Sequence, residues 1–241
     1  MANWSDPRAT PNSGLADVRG VAVDAGLRGY MLSVYNYMTS AVLLTGIVAM
    51  LFAQSGLAIQ VLSSPLRWVV MLAPLGFVMA LSFGINRMRT GTAQMLFWAF
   101  AFVNGISLSS IFLVYTGTSI ASTFFATAGA FAGLSLVGYT TKRDLGPLGT
   151  FLIMGVIGLI VVQLLGMFIP ALSMASPIVA IIGVLLFAGL TAYDTQKIKS
   201  LYFQVAGSDV QGKSAIMGAL TLYLDFINMF LFLLRLMGDR R

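Results

Sequence analysis

Two aspartates occupy stretches of this chain that are otherwise composed for lipid. Asp194 follows the run P-I-V-A-I-I-G-V-L-L-F-A-G-L-T-A-Y, and Asp225 lies inside A-L-T-L-Y-L-D-F-I-N-M-F-L-F-L-L. A carboxylate at the centre of a membrane helix costs roughly 2.5–3.5 kcal/mol on insertion scales, so such a residue faces protein or a water-filled path. The chain has eight acidic residues, all of them Asp, and no His or Cys. Imidazole and thiolate chemistry are therefore excluded, including an H-E-x-x-H zinc site. A titration inside the membrane falls to the aspartates. Two carboxyl groups brought together titrate as one coupled pair, and with neighbouring carbonyls they suit a hard cation such as calcium. Full calcium coordination takes about six to eight oxygens, so two side chains make a transient contact on a path and not a tight store.

The two positions differ in kind. Asp225 has apolar sequence on both sides, with Thr221 four residues before it and Asn228 three after, which places all three on one helical face. That face reads as a polar, inward side, and a structural pairing with an arginine is the competing explanation. Asp194 has Lys197 three residues on and marks either a helix end at the interface or a partner of Asp225. Among the basic residues within or bordering the apolar runs, Arg235 can snorkel to the interface, and so can Arg87, with Arg89 beside it. An Asp194–Asp225–Arg87 cluster at one mouth of a bundle is permitted by these positions.

The elements that must hold these residues follow from composition. With 58% hydrophobic and 9% charged residues, the chain is far from the soluble average of about a quarter charged. Its apolar runs are continuous and longer than barrel strands, so the class is an all-α polytopic membrane protein folded as a seven-transmembrane-helix bundle. The runs predict spans at about 30–53, 68–86, 92–115, 119–139, 148–170, 175–194 and 216–237. Most of the links between them are short, and the gaps 54–67 and 195–215 are longer. Residues 1–29 read as a polar tail without a cleaved signal peptide, irregular in its first half, with a short helix from about Leu15. Residues 30–238 form the membrane domain and 239–241 a short basic tail.

Charge sets an orientation. With a cytoplasmic N-terminus, ten basic residues (Arg8, Arg19, Arg28, Arg87, Arg89, Lys142, Arg143, Lys197, Lys199, Lys213) fall on the inner side and Arg67 alone in the opposite loops. Arg235, Arg240 and Arg241 fit this count badly. Orientation explains the net charge of +6 without recourse to nucleic acid. Small residues are expected to carry helix packing: Gly129 with Gly133, Gly155 with Gly158, and Gly183 with Gly189.

Three segments carry a family resemblance. A-Y-D-T-Q-K-I-K at 192–199 and L-Y-L-D-F-I-N-M-F-L-F-L-L-R at 222–235 resemble the signature segments of the transmembrane Bax inhibitor motif family, and N-R-M-R-T-G with F-W-A-F-A-F-V-N-G-I-S-L at 97–108 is similar to its second-to-third span region. The resemblance extends over nearly all of residues 28–238. It implies a bundle whose C-terminal helix is central, surrounded by the other six, and a pH-sensitive calcium leak with no tightly bound cofactor. It further implies a di-aspartyl sensor at Asp194 and Asp225, latched by Arg87 or its neighbour Arg89. Some bacterial relatives carry a second-span glutamate near the pore. This chain has no Glu, and the matching place is near Gly76.

Two other classes compete with the leak. One is a regulatory protein that binds a membrane partner such as a protease, with the N-terminal tail as contact. The other is an intramembrane aspartyl protease, which the absence of a G-x-G-D context disfavours, so no enzyme activity is expected. The short loops point to a bacterial inner membrane.

Overall fold

The computed structural model of the chain describes residues 13–166 and 177–241, with side chains from residue 25 onward. The expected polar tail at 1–12, the link at 171–174 and the span ends at Pro170 and Ala175 lie outside the described residues. Among the described residues the chain forms nine helices: α1 Ser13–Gln54, α2 Leu57–Ser63, α3 Leu66–Gly84, α4 Thr90–Leu108, α5 Ser110–Val114, α6 Gly117–Thr140, α7 Gly146–Gly166, α8 Pro177–Val205 and α9 Gln211–Met237. Seven stretches are long and apolar enough to cross a membrane, and α4 and α5 together make the third of them. The molecule is an integral multi-pass membrane protein.

Turn chemistry explains most of the boundaries. Gly56 and Gly207 take positive φ angles of 75° and 73°, which only glycine adopts without strain, and they close the α1–α2 and α8–α9 turns. Thr116 caps α6, its hydroxyl accepting the Ser119 N–H at 3.4 Å. Within the third span the helix breaks at the buried Ser109, whose hydroxyl donates to the Ile106 carbonyl at 2.7 Å.

Three expectations need correction. The sixth span does not end at Asp194: α8 runs on to Val205, so Asp194 is interior to a helix. The segment A-Y-D-T-Q-K-I-K-S-L-Y-F alternates apolar and polar residues at helical spacing, and its loss of hydropathy was not a loss of helix. The gap at 54–67 contains α2. The helix expected to be short from about Leu15 is continuous with the first span, as part of the 42-residue α1.

α9 is the most buried of the spans and packs against α1, α4, α6 and α8. α3 lies mainly against α4, and α7 against α8, so these two form an outer tier. Lipid gives helices no hydrophobic reason to associate, and close contact through small residues takes over. Gly138 of α6 abuts the backbone of Ala192 on α8, and a Cβ on Gly105 of α4 would sit 2.8 Å from the Thr45 carbonyl of α1. Gly155, Gly183 and Gly189 make the expected contacts, with Leu186, Phe232 and Leu152. Gly129, Gly133 and Gly158 do not. They face open space, and the contact face of α6 carries Gly138 instead.

Seven alternating crossings put the turns at 85–89, 141–145 and 206–210 at one end of the bundle. The opposite end holds the 115–116 turn and the C-terminus, which are joined directly. Tyr115 and Arg240 form an antiparallel bridge, and the Arg241 N–H donates to the Val114 carbonyl at 2.9 Å. The Ser119 hydroxyl donates to the Asp239 carboxylate at 3.2 Å and accepts the Asp239 N–H at 2.9 Å. The poorly fitting arginines 240 and 241 are thus held opposite Arg87, Arg89, Lys142 and Arg143.

Candidate functional site

Asp194 and Asp225 meet. α8 and α9 run antiparallel on either side of a short turn, with Gly218 against Ile198 near the turn and Gly183 against Phe232 far from it. Between those contacts the two carboxyl groups come within hydrogen-bonding reach of each other. Asp194 is 8% exposed and Asp225 4%. An ionised carboxylate only accepts hydrogen bonds, so a bond between the two requires a proton on the pair. Asp225 has a second constraint: its Oδ2 is buried and unpartnered. The Thr195 hydroxyl, next to Asp194 in sequence, is also buried without a partner.

The cations around the pair are arranged asymmetrically. Lys197, exposed one turn beyond Asp194, is the positive charge that Asp194 feels, and its ammonium lies 5.8 Å from the Tyr193 ring centroid. Lys199 turns away and donates to the Tyr139 carbonyl at 2.8 Å, capping the end of α6. Arg87 and Arg89 are both exposed in the α3–α4 turn. Arg235 has not simply snorkelled outward. Its guanidinium lies 5.0 Å from the Phe232 ring centroid, with Nη1 buried and unpartnered.

Thr221 and Asn228 bond to their own helix. The Thr221 hydroxyl donates to the Met217 carbonyl at 3.1 Å, and the Asn228 amide donates to that of Leu224 at 2.8 Å. Both are half-buried, and neither bridges to Asp225. Among the described residues no group of three or more metal-ligating side chains is present, so a cation here would meet two carboxyl groups and backbone oxygens. Gly76, on α3, has open space where a Cβ would project.

A second polar site escaped the sequence reading. The Tyr223 hydroxyl is buried between α1 and α4, where it accepts from the Asn104 amide at 2.7 Å and lies 2.8 Å from the Thr45 hydroxyl. Thr45 in turn donates to the Ala101 carbonyl at 2.9 Å. The acceptor at the end fixes the order: Asn104 donates to Tyr223, Tyr223 to Thr45, and Thr45 to the α4 backbone. The signal available in sequence was three polar residues each near mid-span, and a tyrosine two residues from Asp225 is easily assigned to an interfacial belt.

The arrangement defines a class: a helical membrane bundle with a buried carboxyl pair between its last two spans. The chain belongs to the family described as Inhibitor of apoptosis-promoting Bax1, whose pattern matches residues 27–241. It is 47% identical over 219 residues to the uncharacterized protein RP147 of Rickettsia prowazekii, covering 90% of this chain and 92% of that one. It is 45% identical over 221 residues to the inner membrane protein YbhL of Escherichia coli, covering 90% and 94%. A Caulobacter vibrioides protein is 43% identical over 240 residues, covering 94% of each chain.

Proposed function

We propose that this protein is a pH-sensitive calcium leak, oriented with its N-terminus in the cytoplasm of a bacterial inner membrane. The observation that carries the reading is the contact between Asp194 and Asp225 inside a membrane-spanning bundle. Protons set the state of this pair. With a proton shared, the carboxyl groups bond to each other. With both ionised, they repel in a medium of low dielectric, and Asp194 becomes a partner for a cation. Lys197 is the nearest such charge on α8, and across the interface Asp194 faces Asp225. Arg87 reaches Asp194 in this reading by inward movement of the α3–α4 turn, which latches the path shut. Acid protonates Asp194, releases the latch and favours opening. In this reading the protonated, unlatched pair is the one whose carboxyls bond to each other while Arg87 stays exposed.

Calcium is the permeant ion in this scheme and no resident metal is invoked. Two carboxyl groups form a passing contact for a cation that sheds part of its hydration shell. Calcium flux into liposomes, measured across pH for the wild type and Asp225→Asn, tests the reading. An unchanged pH response in the variant rules out the pair as sensor.

A further inference from the structure

Between α1 and α6 lies a cavity of about 760 Å³ that belongs to neither polar site. Its walls are almost wholly apolar, with Met38 and Val42 from α1, Phe124 and Phe131 from α6, and Phe226 of α9 at the back. The lining runs from Arg28 to Leu43 along α1 and, antiparallel to it, from Tyr139 to Phe124 along α6. At 1.5 Å per residue, this stretch of α1 is roughly 22 Å long. The hydrocarbon core of a bilayer is about 30 Å thick, so the groove extends from the headgroup zone through one leaflet. That is the reach of one acyl chain and its glycerol.

The charge at the mouth selects the headgroup. Arg28 is exposed at the end of the groove, and among the described residues it is the charged lining residue and no acidic side chain lines the groove. Tyr139 forms the other lip. The Lys199 ammonium sits 4.8 Å from its ring centroid, and Lys142 and Arg143 follow in the next turn. An anionic phosphate at this mouth meets several basic groups within the interfacial region, where each contributes about 1 kcal/mol near a charged membrane surface. We propose that the α1–α6 groove is a binding site for a phospholipid with an anionic headgroup, its phosphodiester at Arg28 and one acyl chain lying along the aromatic wall of Phe131, Phe124 and Phe226. This site is independent of the calcium reading and stands or falls separately from it.

The full-length protein, reconstituted in vesicles of mixed phosphatidylglycerol and phosphatidylcholine and then extracted in mild detergent, can be weighed intact by native mass spectrometry. The expected result is one retained phosphatidylglycerol per chain. Arg28→Gln keeps a bound lipid but reduces the preference for phosphatidylglycerol about five-fold, the value of one basic group at the surface. Ala132→Trp, on the groove wall, removes the bound lipid, and the milder Ala128→Leu weakens it if the first variant is not monodisperse. Gly129→Trp, on the same helix outside the groove where space is open, retains it. The proposal is overturned by no retained lipid, by equal retention of both lipids in the wild type, or by retention unchanged in both wall variants. A site that fills only after residues 1–12 are removed would make the tail its occupant and overturn it equally.

Discussion

The carboxyl group of Asp194 on α8 touches that of Asp225 on α9, in a bundle interior where both residues are almost fully buried. A hydrogen bond across this contact needs a proton on the pair, because two carboxylates have nothing to donate. The sign of its pH dependence follows. The stabilisation it gives the α8–α9 interface is present while the proton is held and is lost as pH rises and both groups ionise.

Asp225→Asn should therefore flatten two pH profiles at once. The amide donates without titrating, so thermal stability in detergent loses its decline toward alkaline pH. The ratio of calcium flux at acid to alkaline pH collapses toward one. A variant that keeps the wild-type slope in both would dispose of the shared proton.

Gly138→Ala should be destabilising by about 1–3 kcal/mol, since the added methyl group meets the backbone of Ala192 and neither helix can yield locally. Gly133→Ala, on the open face five residues earlier, should be neutral or stabilise by up to about 1 kcal/mol through helix propensity. Unfolding in mild detergent compares the two. Equal effects would mean that α6 packs on a different face.

Tyr223→Phe keeps the ring and deletes the hydroxyl that links Asn104 to Thr45. Hydrogen bonds between membrane helices average about 0.6 kcal/mol with a maximum near 1.7, and a loss in that range is expected. Because the network is separate from the aspartate pair, the pH profile of flux should keep its shape. A shifted profile would show that the two polar sites communicate.

The chain's lack of cysteine makes topology simple to read. Single cysteines at Arg240 and Thr118 should react with a membrane-impermeant thiol reagent from one side, and a cysteine at Arg143 from the other. Labelling of the first two from opposite sides would contradict the pairing of the C-terminus with the 114–119 segment. Under the cytoplasmic N-terminus proposed above, position 143 is the one protected in intact cells.

Sequence carried the spans and the depth of Asp225, because both follow from hydropathy over some twenty residues. The continuation of α8 past Asp194 was hidden by the same measure: Gln196, Lys197 and Lys199 lower hydropathy without weakening a helix. Gln196 in fact acts from that extension, its amide donating to the Arg143 carbonyl and accepting the Leu145 N–H, both at 2.8 Å. Which glycine meets a neighbour depends on helix rotation, which spacing does not reveal. Gly129 and Gly133 have the expected interval and the wrong face, whereas Gly138 has no partner at that interval and abuts the α8 backbone. The Tyr223 network needed three spans to be placed before its members could be seen together. Arg87 remained ambiguous in sequence because an arginine at a helix end serves either a latch or the interface equally well.

The pairing of residues 239–241 with the 114–119 segment has a consequence for biosynthesis. These residues follow the seventh span, and their partner lies at a turn made much earlier, between the third and fourth spans. The turn gains this partner only once the seventh span has crossed, so the bundle is sealed by the later-made of the two paired segments. A reporter fused directly after Arg241 would have to leave from the centre of that seal.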